Sequence, residues 1–229
     1  MTSAPVEDPV LAIPPAQERS GLFAMTVVFA SFFWLVYWSA DRYAGALPFR
    51  HRVDFGFEAA IPFWPAAILI YLTITPLLAL APFVFRTRLL VMPLFVTLCA
   101  EVAIAGSVFF MFPVELGYPT PFAPGWIAAP FFAAKSINLT YNCVPSLHVA
   151  FAVTVAAALT RCGGAAWRRT IWTWCAMIAV STLVTHQHHV VDVISGGFLG
   201  FAAMRWIYPK VRLSARHQGE ISSWRAASE

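Results

Sequence analysis

The stretch STLVTHQHHVVDVISGG, Ser181 to Gly197, sets three histidines and an aspartate between two strongly apolar runs. WTWCAMIAV precedes it and FLGFAAMRW follows it. Such runs suit the interior of a membrane, where ionisable side chains are costly and so mark function.

The rest of the chain has the same character. Its 229 residues are 59% hydrophobic and only 11% charged, with a mean hydropathy of +0.70, which is too apolar for a soluble domain of this size. The sequence predicts an all-α integral membrane bundle of six transmembrane helices. A hydrocarbon core of about 30 Å takes about 20 helical residues to cross, and the apolar runs lie at roughly 21–38, 60–84, 89–112, 145–160, 170–187 and 189–208, the fourth being the shortest. Trp34, Tyr37, Trp38, Trp206 and Tyr208 fall at run ends, where amphipathic rings settle at headgroup level. The first twenty residues are polar, acidic and proline-rich, without the basic start of a signal peptide, so the first span is expected to be an uncleaved anchor. One domain is expected: a membrane catalytic domain over 21–211, between cytoplasmic tails at 1–20 and 212–229.

Orientation follows from the cations. With the N-terminus inside and six crossings, eleven of the fifteen Lys and Arg residues become cytoplasmic, and only Arg42, Arg50, Arg52 and Lys135 stay outside. The positive-inside rule therefore favours N-in and C-in. The basic pI of about 9.1 reflects that topology and implies no nucleic-acid partner. Cys99, Cys143, Cys162 and Cys175 have neither metal spacing nor the pattern of a disulfide framework.

Two polar clusters are expected to meet. YNCVPSLHVAF, Tyr141 to Phe151, opens the fourth run, and Thr185 to His189 joins the fifth to the sixth. At 1.5 Å of rise per residue, His148 lies about 20 Å from cytoplasmic Arg161, and His188 about 28 Å from Arg169, so both belong to the outer leaflet. His188 and Asp192 are four residues apart and share a helix face, where the carboxylate can accept the proton of one imidazole nitrogen and free the other for attack. In PSLH, Pro145 suits a first helical turn, and Ser146 with the unpaired amides of that turn makes an anion seat beside His148. Two imidazoles at one depth, His188 neutral and His148 protonated, suit nucleophilic attack on phosphorus with acid assistance to the leaving group.

These residues resemble the type 2 phosphatidic acid phosphatase superfamily of membrane lipid phosphatases and phosphotransferases. Pro145, Ser146, Leu147 and His148 match its second motif, Pro-Ser-Gly-His, with Leu for Gly. Ser181, Thr182, His188 and Asp192 match the third, Ser-Arg-x5-His-x3-Asp, with Thr for Arg. The wording of both, and AAIPFWPAAILIY at the start of span two, is similar to the inositol phosphorylceramide synthase-like branch. The resemblance implies that His188 forms a phosphohistidine, Asp192 orients it, His148 protonates the leaving oxygen and Ser146 helps hold the phosphate. The first motif, Lys-x6-Arg-Pro, has no counterpart. FPVELGYPTPFAPG occupies its expected region, with Thr120-Pro121 in place of Arg-Pro. Lys135, Arg50 and Arg52 are the outside cations available to substitute, and arginine's planar fork pairs well with phosphate.

Each feature also has a plainer reading. Arg50 and Arg52 could pair with Asp54 or Glu58, and Glu101 could be a hydrogen-bonded structural glutamate. His186 and His189 could be interfacial or face the substrate. Gly196, Gly197 and Gly200 could admit close helix packing. The three clustered histidines could bind zinc, although His188 and His189, once helical, diverge by about 100°. Haem or metal carriage without catalysis is thus the alternative from another class. The favoured expectation is a metal-independent, cofactor-free lipid phosphatase of a bacterial inner membrane with its site facing the periplasm. A head-group transferase using an alcohol acceptor and the same histidine is the runner-up.

Overall fold

The computed structural model describes residues 13–85, 87–118 and 122–215. Thr120-Pro121 lies outside them, as do Arg86, Arg216 and Arg225, three of the eleven cations expected to be cytoplasmic. Among the described residues the regular structure is helical. The helices are α1 (Ala16–Ala46), α2 (Ile68–Leu72), α3 (Ile74–Val84), α4 (Arg88–Met111), α5 (Ala128–Asn138), α6 (Leu147–Leu159), α7 (Ala165–Val184) and α8 (Val190–Trp206).

Among the described residues four stretches are long and apolar enough to cross a membrane: Ala16–Ala46, Pro65–Phe83, Arg88–Met111 and Val190–Ala215. The other two expected spans fall short for different reasons. The apolar helix Leu147–Cys162 is short, whereas α7 is diluted by Arg168 and Arg169 and by three tryptophans. Burial explains the first case. Leu147, Val149 to Ala156, Ala158 and Leu159 are all buried, so α6 is the central post, apolar on every side because other helices surround it. The outer helices instead leave apolar stripes uncovered, Phe23, Val27, Val28 and Leu35 on α1 and Ile194, Phe198 and Phe201 on α8. Stripes of that kind on a soluble protein would invite aggregation; on a membrane protein they face lipid.

Span two breaks at Thr73. Its hydroxyl donates to the Ile70 carbonyl at 2.6 Å, and Pro76 lacks the N–H that would bond back to Leu72. Glycine sets the α6–α8 distance. A Cβ at Gly196 would stand 2.3 Å from the Ser146 carbonyl oxygen, and one at Gly200 2.7 Å from that of Ala150. Gly197 meets nothing within 4 Å, so two of the three glycines serve close packing. Glu101 on α4 is fully buried and accepts a hydrogen bond from Thr154 of α6, in keeping with a hydrogen-bonded structural glutamate.

Candidate active site

α7 stops in a turn that aims His188 inward. The Gln187 amide donates to the Thr182 carbonyl and the His186 amide to the Leu183 carbonyl, both at 3.0 Å. This is a Schellman closure with His186 in the left-handed position (φ 54°) that glycine usually fills. The His188 amide also reaches the Thr182 carbonyl, at 3.2 Å. The backbone of Thr182 therefore shapes the site. Its hydroxyl donates to Ala179 at 2.7 Å and that of Ser181 to Ile178 at 2.7 Å, so both buried side chains commit their donors to α7 itself.

α8 starts with Asp192 in its first turn, where a carboxylate complements the helix dipole. One oxygen, Oδ2, accepts both the His189 amide (2.8 Å) and His188 Nδ1 (3.1 Å). Asp192 is fully buried and His188 nearly so. A buried carboxylate on Nδ1 keeps the proton there and leaves Nε2 with its lone pair, which is the nucleophilic tautomer.

The two expected histidines do meet. The His148 and His188 rings lie 6.2 Å apart between centroids. α6 starts at Leu147 with Ser146 as its cap, so Pro145 precedes the cap instead of occupying the first helical turn. The Ser146 hydroxyl accepts the Val149 amide at 3.4 Å, and the Ser146 amide donates to the Asp192 carbonyl at 3.0 Å, which locks the start of α6 to α8. Tyr71 of α2 was missed from the sequence because nothing distinguishes it within an apolar run. Its ring stacks on His148 at 4.2 Å, and its hydroxyl is 3.1 Å from His148 Nδ1.

Both imidazoles open onto a cavity of about 530 Å³ whose wall is mostly apolar, with Phe29, Phe33, Leu78 and Phe151 in it. Its lining on α1 runs from Tyr37 to Thr26, eleven residues or about 16 Å of helix. The candidate cations stand away from this wall. Arg50 and Arg52 pair with Glu115, at 3.3 and 2.8 Å, in place of the expected Asp54 or Glu58, and hold that carboxyl below the ordinary carboxylate value. Lys135 is exposed in the last turn of α5, the helix that contributes Ala134 and Ile137 to the cavity.

His186 and His189 have other occupations. His186 Nε2 donates to the Ile61 carbonyl at 3.1 Å, and His189 joins Glu58. The three histidines therefore do not converge as a zinc ligand set would.

The PAP2 superfamily matches residues 90–216, more than half of the chain and the part that carries both histidines and Asp192. The chain belongs to the PAP2 superfamily. It is thus a membrane protein of a lipid phosphatase family, as the two motifs led one to expect; the finer branch is not distinguished by this match. No curated protein matches the chain. Among solved structures, Aquifex aeolicus LpxE is similar over 82% of this chain and 93% of its own, at 14% identity and a TM-score of 0.40. So distant a likeness adds no argument about the site.

Proposed function

We propose that the protein hydrolyses a lipid phosphate ester through a phosphohistidine at His188. The observation that carries this reading is the pairing of a carboxylate-backed imidazole with a second imidazole at the mouth of a lipid-sized apolar cavity. Nε2 of His188 attacks phosphorus, a P–N bond forms, and the P–O bond to the lipid breaks as the leaving oxygen takes a proton from His148. Water then attacks the phosphohistidine, giving its proton to His148, and releases phosphate and free His188. Tyr71 holds His148 Nδ1, so that Nε2 faces the reaction.

The phosphate is assigned to the start of α6 at Ser146, with the α7 end at Ser181 and Thr182 as its backing. Lys135 on α5, and Arg50 and Arg52 beyond their pairing with Glu115, are the cations assigned to offset its charge. The cavity takes an acyl or prenyl chain, the apolar part of the substrate. Six crossings with both termini cytoplasmic are proposed, α6 and α7 completing the four longer spans. The site then faces outward, the periplasm in a bacterial inner membrane. An alcohol in place of water would give a head-group transferase by the same intermediate, and the resemblance of the motif wording favours keeping that second reading.

Purified protein is to be incubated with a panel of lipid phosphates, with and without alcohol acceptors, while free phosphate and new lipids are followed. Release of phosphate that EDTA leaves undiminished and His188→Ala abolishes is expected. Full activity in His188→Ala, or a requirement for stoichiometric zinc or haem, would overturn the reading.

A further inference from the structure

The two histidines that flank the nucleophile are packed as a pair around one ring. Tyr118, in the segment after α4, stacks on His186 at 4.1 Å with an 8° interplanar angle and on His189 at 4.5 Å with 16°. One aromatic ring is thus sandwiched between residues 186 and 189 and spans the turn from which His188 projects.

Glu58 anchors the sandwich. Its Oε2 accepts the Tyr118 hydroxyl at 3.1 Å and His189 Nδ1. Its Oε1 accepts the amides of Phe55 and of Val190, both at 3.2 Å. The Gly117 amide donates to His189 Nε2 at 3.0 Å, so that nitrogen carries no proton, and Nδ1–H is the donor to Glu58. The strand-like bridge of His51 with Val114 joins the same two outer segments a few residues away. The left-handed His186 is the second sign of purpose. A non-glycine residue at that closure position is strained and persists where its surroundings hold it; here the ring is gripped by Tyr118, Phe63 and the Ile61 carbonyl.

We propose that His186, Tyr118 and His189, anchored by Glu58, are positioning residues that clamp the α7–α8 turn and so fix the line of attack of His188. The inference rests on His188 being the nucleophile. None of the four touches the reacting atoms; they act through the turn. A displacement of about 1 Å at a nucleophile can cost about 10²-fold in rate, so the clamp should register in turnover while lipid affinity stays with the cavity.

The test compares Tyr118→Leu, Tyr118→Phe and His186→Gly with the wild type on whichever lipid phosphate of the panel it turns over fastest. His186→Gly suits the turn's backbone and removes only the ring, so it should fold. In Tyr118→Leu and His186→Gly, kcat should fall about 10- to 10²-fold with KM within about twofold. Tyr118→Phe, which keeps the stack, should recover most of the rate. Full kcat in His186→Gly, or a rise in KM that accounts for the loss, would overturn the clamp while leaving the phosphohistidine reading intact. A wild type that turns over no member of the panel would overturn both.

Discussion

Asp192 gives one oxygen to both the backbone and the proposed nucleophile, so its charge and its geometry act together on His188. Asp192→Asn keeps the shape and removes the charge. By analogy with other carboxylate–imidazole couples, kcat should drop on the order of 10²- to 10⁴-fold with KM little changed, as steady-state kinetics would report. Tyr71→Phe keeps the stack on His148 and removes only the hydroxyl 3.1 Å from Nδ1. Loss of a positioned partner to the proposed general acid should lower kcat about tenfold and displace the limb of the pH–rate profile that reports His148. The four-residue spacing of His188 and Asp192 marked the couple in the sequence, but the shared helix face expected there is not what joins them: α8 starts only at Val190, and His188 reaches Asp192 from the turn before its cap. Tyr71 and Glu58 were not legible, because their partners lie 77 and 131 residues away and only tertiary packing joins them.

At the scale of elements, α8 must lie against the start of α6 for the two histidines to meet. Gly196→Ala would drive a methyl into the Ser146 carbonyl, backbone that cannot swing aside. Overpacking of this kind costs about 1–3 kcal/mol, and it strains the Ser146–Asp192 backbone bond. Gly196→Ala should therefore lower both the unfolding midpoint and turnover, whereas Gly197→Ala should leave both near wild type. The outer segments dock on α8 through Glu58. Burial raises the Glu58 carboxyl's pKa, but hydrogen bonds from His189 and the Phe55 and Val190 amides outweigh this and hold it below its ordinary 4.5. A depressed folded value means that the stabilisation is complete above 4.5 and is lost as pH falls through the lowered value. The gap in unfolding midpoint between wild type and Glu58→Gln should accordingly be constant near neutrality and close in acid. The glycines at 196 and 200 were readable as close-packing positions from sequence. The Schellman turn was not, because a histidine stands where the usual signal is glycine.

For the whole molecule, hydropathy announced a helical membrane bundle, and the match to the PAP2 superfamily agrees with the motifs that the sequence carries. What hydropathy could not convey is that the short apolar run α6 is a central post with protein on all sides. Periodicity is silent about whether an all-apolar helix faces lipid or neighbours. Nor could it place the cavity, which is made by α1, α2, α3, α5 and α6 together and gives the imidazoles a lipid-sized space to face. The central claim is that this space delivers a phosphorus atom to His188. The direct measurement is rapid quenching with a phosphorus-labelled lipid phosphate, followed by mapping of acid-labile phosphoryl groups by mass spectrometry. Label on His188 that vanishes in His188→Ala is the predicted result. Turnover with no phosphohistidine at His188, or with the label on His148 instead, would contradict the account.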